Sequence, residues 1–167
     1  PSNLIMIDEL AFNECRSLAK IDIPKSVSVI NRMAFGSCES LENITLPDGV
    51  TVLSTDVFSN CVSLKELILP ESIETIESSA IWGCDNIKSI SVPAKTTFID
   101  KNAFINKCLE SVIVDEENKY YKSVDGVLFD KDMTKLIVYP VSKKAEEYTV
   151  PDSVKTICNL ENKYMKT

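Results

Sequence analysis

Several residue types are absent or scarce, and each absence removes a class of function. The sequence of 167 residues contains no histidine, which excludes Ser–His–Asp and Cys–His nucleophile pairs and histidine-ligated zinc. Its four glycines are scattered, whereas phosphate-binding loops need clustered glycines. No apolar run is long enough to span a bilayer. We therefore expect no enzyme activity, no metal, no cofactor and no membrane insertion.

Positive charge is also in short supply. The chain has 18 Lys and Arg residues against 25 Asp and Glu residues, a net charge of −7, and only two arginines. Binding to a nucleic acid backbone depends on Lys and Arg, so we expect no nucleic acid partner. The first residue is Pro1 rather than Met, and we expect the chain to be a fragment of a longer protein.

The cysteines reveal an internal repeat. Cys15, Cys38, Cys61 and Cys84 recur every 23 residues, and Cys108 follows after 24. A fixed period in this range indicates a repeat protein. We predict one domain over 1–167, made of a partial repeat (1–17), repeats at 18–40, 41–63, 64–86 and 87–108, a repeat with an insertion (109–145) and a final degenerate repeat (146–167).

Each unit has the same local plan. An apolar alternation such as Leu41, Ile44 and Leu46 predicts a short strand with one buried face, and Pro47 ends it. A second apolar pair follows, and the stretch 31–38 and its equivalents are predicted to return the chain as a short helix or 3₁₀ turn. Stacked units bury a continuous core, in which we expect an aromatic spine of Phe12, Phe35, Phe58 and Phe104. The predicted fold is a repeat solenoid with short parallel strands.

One unit carries an insertion. The pattern breaks after Val114 and returns near Tyr148, which leaves about thirteen extra residues. Two β-prone runs, 127–129 and 136–139, follow the turn signal Asp125-Gly126. We predict a β-hairpin arm that projects from the stack.

The repeat resembles that of a known family. The unit L-x-x-I-x-I-P-x-S-V-x-x-I-x-x-x-A-F-x-x-C, seen over 18–40, is similar to the 23-residue repeat of the BspA-like leucine-rich repeat family, and 120–140 resembles that family's insertion. The resemblance implies a right-handed leucine-rich repeat superhelix at the cell surface or secreted. It also implies a role in adhesion to extracellular or host proteins. The alternative is a structural spacer that presents another domain.

The cysteine column has three interpretations: disulfides, a metal site or buried thiols. No pair has C-x-x-C spacing, which argues against zinc. Parallel side chains one coil apart keep their Cβ atoms beyond the ~3.8 Å typical of disulfides. We therefore predict that Cys15, Cys38, Cys61, Cys84 and Cys108 are free, buried thiols.

Two further features, a pair of aspartates and the single tryptophan, each allow a functional and a structural interpretation. Asp130 and Asp132 could begin a calcium loop, but the glycine is missing and Val141 occupies the position of the final glutamate. A solvated hairpin tip is therefore favoured. Trp82 lies at a turn, where packing across a neighbouring coil is favoured over anchoring a partner.

The outward side chains of the strands predict the binding surface. Buried positions alternate with exposed ones, so two solvent-facing rows should cross the sheet near the arm. Ile68, Ile113 and one of two tyrosines are expected to carry most of the binding energy, and the apolar ends of the stack predict weak end-to-end self-association. The candidate protein-binding residues are Lys20, Asp22, Asn43, Thr45, Glu66, Ile68, Ser89, Ser91, Ser111, Ile113, Tyr120 and Tyr121.

Overall fold

The chain forms a solenoid of about seven turns with short strands. The computed structural model describes residues 3–158, in which there is no helix, and therefore none that could cross a membrane. Its strands are β1 (Met6–Ile7), β2 (Val29–Ile30), β3 (Asn43–Thr45), β4 (Val52–Leu53), β5 (Glu66–Ile68), β6 (Thr75–Ile76), β7 (Ser89–Val92), β8 (Phe98–Ile99), β9 (Ser111–Val114), β10 (Tyr121–Val124), β11 (Val127–Asp130), β12 (Lys135–Val138) and β13 (Thr156–Ile157).

Two parallel sheets run along the stack. The first sheet consists of the pairs β3–β5 and β7–β9, with β5 against β7. It confirms the predicted strands of the units that begin at Leu41, Leu64, Ile87 and Leu109, whereas the strand predicted in the unit that begins at Leu18 is not formed. The second sheet, β4–β6–β8, is formed by the second apolar pair of each unit, and the pair β1–β2 occupies the same place in the first two coils. In this sheet Leu53 pairs with Ile76, and Ile76 with Ile99. The 23-residue period therefore sets the register of both sheets.

The return segments are chains of turns, so the short-helix alternative was wrong, whereas the i→i−3 hydrogen bonds within these turns are of the 3₁₀ type. Within one segment the Gly36 amide donates to the Met33 carbonyl (3.0 Å), whereas the Phe35 amide donates to Val57 of the next coil (3.0 Å). A helix needs every amide for its own i−4 carbonyl, and here alternate amides leave the segment. Left-handed residues make the necessary turns at Leu10, Glu14, Met33, Ser37, Asp56, Asn60, Ser79 and Gly83.

The core lies between the two sheets and the return segments. The predicted aromatic spine is present: Phe12 and Phe35 stack with ring centroids 5.3 Å apart, and Phe35 and Phe58 with centroids 5.7 Å apart. Ile81 continues the column, and Phe104 is buried beyond it. Each coil therefore places one large apolar side chain on its neighbour.

A ladder of thiols runs beside the aromatic column. The sulfur of Cys61 donates to the Phe35 carbonyl (3.1 Å) and that of Cys84 to the Phe58 carbonyl (3.0 Å). Cys38 makes the equivalent bond one coil earlier. Burial, reinforced by the neighbouring Cys61, raises the pKa of Cys38 to about 12. Cysteine nucleophiles react as thiolates, so these buried thiols are held in an unreactive form.

The ends of the predicted ladder need correction. Cys15 is exposed and Cys108 is only half-buried. Asn106 takes the place of the fifth cysteine, because the unit 87–108 is one residue short before this point. The Asn106 carbonyl accepts the amide of the residue three positions later, Leu109 (3.4 Å), and the carbonyl of each ladder cysteine accepts the amide at the same distance along the chain. The buried side-chain amide of Asn106 donates to the Cys84 carbonyl (2.7 Å).

The insertion forms an antiparallel meander, β10–β11–β12, whose last strand pairs in parallel with β13. The hairpin prediction was right, but the projecting arm was wrong, because Val127–Phe129 are fully buried. The Gly126 carbonyl accepts the Val112 amide (2.9 Å) on the open side of β9. Gly126 has φ +74°, and a Cβ there would lie 2.7 Å from the Ser111 Cβ. Glycine is therefore needed where the meander meets the first sheet.

Side chains close the second sheet beside β8. The Ile99 amide donates to the Tyr121 hydroxyl (3.0 Å), which donates in turn to the Thr97 carbonyl (3.4 Å). The buried amide of Asn118 donates to the Pro93 carbonyl (2.8 Å). Backbone groups that another strand would normally pair are thus satisfied by two side chains.

We expect thiol reagents to distinguish the cysteines. In native protein Cys15 should react rapidly, whereas Cys38, Cys61 and Cys84 should react only after denaturation, because they are fully buried and hydrogen-bonded. Mass spectrometry of iodoacetamide-treated protein identifies the modified residues. Native labelling of Cys61 as fast as that of Cys15 would contradict the buried ladder.

The Tyr121→Phe variant should lose about 1 kcal/mol of stability, since it leaves the Ile99 amide without its acceptor. Exchange of that amide with deuterium should accelerate, which NMR can measure. The matched control is Tyr120→Phe, because Tyr120 is exposed and its hydroxyl has no partner among residues 3–158. Equal exchange rates in both variants would show that Tyr121 does not cap the strand.

Candidate interaction surface

The outward rows of the first sheet are present where β3, β5, β7 and β9 pair. Thr45 lies opposite Ile68, and Ser91 lies opposite Ile113. The two isoleucines are 66% and 52% exposed, although their neighbours along each strand are buried. The first sheet therefore presents two large apolar side chains on a polar surface.

Most of the predicted binding residues reach solvent. Ser111 and Tyr121 are half-buried; the Ser111 hydroxyl donates to that of Ser89 (3.0 Å). Lys20 and Asp22 lie on a stretch that is not assigned as a strand and form an exposed ion pair of 3.6 Å. The exposed members are Lys20, Asp22, Asn43, Thr45, Glu66, Ile68, Ser89, Ser91, Ile113 and Tyr120.

The two tyrosines lie on the side of the second sheet. Tyr121 is committed to β8 through its hydroxyl, and burial raises its pKa. Tyr120 is 52% exposed and lines an open hollow with Glu74, Lys95 and Thr97, which precede β6 and β8. Neither tyrosine shares the first-sheet rows with the exposed isoleucines.

Ion pairs that cross between coils flank the first-sheet rows. Lys65 lies 2.8 Å from the Glu42 carboxylate, and Lys88 lies 3.4 Å from Glu110. The hydrogen bond and charge of Lys65 hold the pKa of Glu42 below its usual value. Exposed pairs of this kind stabilise a fold little. Their main effect is to balance charge beside rows composed largely of Asn, Thr, Ser and Ile.

A second outward surface lies outside the residues predicted from the sequence. Met6, Val29 and Phe98 are 46%, 40% and 50% exposed, and each precedes a buried residue of the second sheet. A column alignment at the 23-residue period would have revealed the recurrence of apolar residues here. We call this surface the apolar row; its members are Met6, Val29, Val52, Thr75 and Phe98.

Carboxylates lie beside the apolar row. Asp8, Glu77 and Asp100 each follow a member of that row by two residues, and we call them the acidic row. Asp8 accepts the Asn31 side-chain amide (2.8 Å), which lowers the pKa of Asp8. Glu77 accepts the amide and hydroxyl of Thr55 (2.8 and 2.9 Å). These hydrogen bonds fix the carboxylates without neutralising them.

A small cavity of about 190 Å³ lies at the turn that contains Trp82. Trp82 is 38% exposed, and the aliphatic side chains of Ile105 and Val141 form part of the wall. An ion pair of 2.6 Å between Asp85 and Lys107 borders it. The tryptophan thus shares this cavity with residues of other coils and keeps an accessible edge.

Asp130, one of the two residues considered for calcium binding, has another role. Burial raises the pKa of Asp130, but hydrogen bonds from Thr134 and Lys135 outweigh it and keep the pKa below its usual value. These bonds, of 2.6–2.8 Å, hold the turn between β11 and β12. Residues 3–158 contain no group of three potential metal ligands.

Comparison with known proteins extends these observations. The model of the BspA type leucine rich repeat region matches residues 1–124 in six copies. No curated protein matches the sequence significantly. A leucine rich cell surface protein from Faecalibacterium prausnitzii A2-165 has a similar structure, with 34% identity, a TM-score of 0.81 and coverage of 90% of this chain and 40% of that one.

Two further structures support the same fold. A leucine-rich repeat protein from Eubacterium ventriosum is 25% identical with a TM-score of 0.81, over 94% of this chain and 42% of its own. The pneumococcal vaccine antigen PcpA is 32% identical with a TM-score of 0.70, over 79% of this chain and 33% of its own. The chain thus spans less than half the length of these relatives. With six repeat copies over most of its length, this chain belongs to the BspA-type leucine-rich repeat family.

Proposed function

We propose that this chain is a non-enzymatic protein-recognition module of a surface or secreted protein. The observation that carries the proposal is the pair of exposed isoleucines, Ile68 and Ile113, on the otherwise polar first sheet. Soluble proteins bury most large aliphatic side chains, and a few apolar anchors surrounded by polar groups are typical of protein interfaces. The similarity to a leucine rich cell surface protein supports the location.

The geometry suits an extended protein partner. The strands of successive coils are rigidly spaced, so polar groups such as Asn43 and Ser91 stand at fixed distances from the isoleucines. A partner that buries Ile68 and Ile113 would gain about 1.5–3 kcal/mol for each. Hydrogen bonds with the surrounding Ser, Thr and Asn side chains would supply orientation rather than most of the affinity.

The alternative is a spacer that holds another domain away from a surface. It is favoured by the continuous stack of coils, which resembles a rod whatever its surface carries. A spacer needs no apolar side chains on its exposed sheet. The two proposals therefore differ in the role of Ile68 and Ile113.

The proposal is tested by measuring whether the protein binds extracellular-matrix proteins that have been solubilised and then immobilised on a sensor surface. We expect wild-type protein to bind saturably in a surface plasmon resonance measurement. The double variant Ile68→Ser/Ile113→Ser should bind at least about tenfold more weakly, because both apolar anchors are removed.

The matched control is Ser89→Ala/Ser91→Ala, which alters the same sheet without removing an apolar anchor. Circular dichroism should show that both variants keep the wild-type spectrum. Saturable binding with unchanged affinity in the isoleucine variant would move the recognition site away from the first sheet. Absence of binding by the wild type would favour the spacer.

A further inference from the structure

The second sheet carries its own interaction surface. We propose that the apolar row and the acidic row together bind a cationic amphipathic protein segment, with apolar side chains on one side and Lys or Arg on the other. This surface lies on a different sheet from Ile68 and Ile113. The experiments on the two surfaces therefore give independent results, and a negative result for one does not contradict the proposal for the other.

The apolar row runs through five coils, with Thr75 as its one polar member. Parallel pairing places Met6 beside Val29, and Thr75 between Val52 and Phe98. At about 4.8 Å between paired strands, the row extends for about 19 Å. Three of its members are at least 40% exposed. A connected apolar strip of this kind marks interaction sites more often than isolated exposed residues do.

The acidic row runs parallel to the apolar row. Asp8, Glu77 and Asp100 each come directly after a strand of the second sheet, at the same place in their coils, and Asn31 and Ser54 take that place in the two coils between Asp8 and Glu77. Among residues 3–158, none of these three carboxylates has a Lys or Arg within ion-pair distance. Their charges remain available to a partner.

The surrounding charge favours a cationic partner. Counted over all five coils, the residues within three positions of the apolar row include five carboxylates and three cations. One of these cations, Arg32, is already paired with Glu9 at 2.8 Å. The net charge of the whole chain is −7. A basic segment gains from this field both in association rate and in specificity.

A second copy of this chain fits the surface poorly. Glu74 lies immediately before the apolar row at Thr75, on the opposite flank from the acidic row. Face-to-face packing that joins the acidic rows of two copies would therefore bring carboxylates against carboxylates, and the reversed packing would bring Glu74 towards the other copy's acidic row. Like charges in contact disfavour such a complex.

The test uses two synthetic peptides with the same amphipathic pattern, one of leucine and lysine and one of leucine and glutamate. Isothermal titration calorimetry should show binding of the lysine peptide to wild-type protein, weakened by added salt, and no binding of the glutamate peptide. The Val29→Thr/Phe98→Thr variant replaces two exposed apolar side chains with threonine, a β-branched residue that suits strands. Because it loses apolar contact area, it should bind the lysine peptide about tenfold more weakly.

A second variant isolates the charge. Glu77→Gln/Asp100→Asn retains acceptor oxygens for Thr55 and Asn102 but removes two charges. It should also bind about tenfold more weakly and with a smaller salt dependence. The control, Ile68→Ser/Ile113→Ser, should bind like the wild type.

Three results would overturn the proposal. The first is equal binding of both peptides, which would mean that apolar contact alone drives association. The second is unchanged affinity in the Val29/Phe98 variant while its circular dichroism remains that of the wild type. The third is absence of binding of the lysine peptide to wild-type protein at low salt.

Discussion

Backbone hydrogen bonds between coils are the interaction on which the rest of the structure depends. In the first three return segments alternate amides donate to the following coil, as Phe35 does to Val57, and both sheets pair residues one repeat apart. These bonds align only if every coil has nearly the same length. The unit 87–108 is one residue shorter than the others, and the missing residue falls between Phe104 and Asn106. The pairing of β7 with β9 is therefore kept. Aromatic and thiol columns follow from this alignment.

The inserted meander covers the strand edges at which the two parallel sheets end. A parallel strand edge leaves amides and carbonyls unpaired, which favours unwanted association. Here Gly126 supplies a carbonyl to β9, while Tyr121 and Asn118 satisfy groups beside β8. The polar side chains that replace apolar members of the repeat columns therefore act as structural caps. Their position close to exposed residues does not make them binding residues.

Two different surfaces result from the same repeat. Along the first sheet, outward positions are mostly small and polar, with two isolated isoleucines. Along the second, one apolar row is bordered by carboxylates. The stack fixes the spacing within each surface because neighbouring members differ by one coil. A protein built in this way can present distinct chemistry on two sides while all its core positions repeat.

Sequence periodicity by itself determined the solenoid, most of the first-sheet strands and the aromatic spine, because each depends on a column that repeats every 23 residues, and the interruption of these columns revealed the β-rich insertion. Tertiary structure decided the rest. Non-glycine residues such as Met33 and Ser37 adopt left-handed turns only because the neighbouring coil accepts their amides. Asn106, two residues before Cys108, occupies the ladder position because its unit is one residue short, and β11 is buried because the meander covers the edge of β9. Such outcomes depend on contacts between coils, which no local pattern specifies.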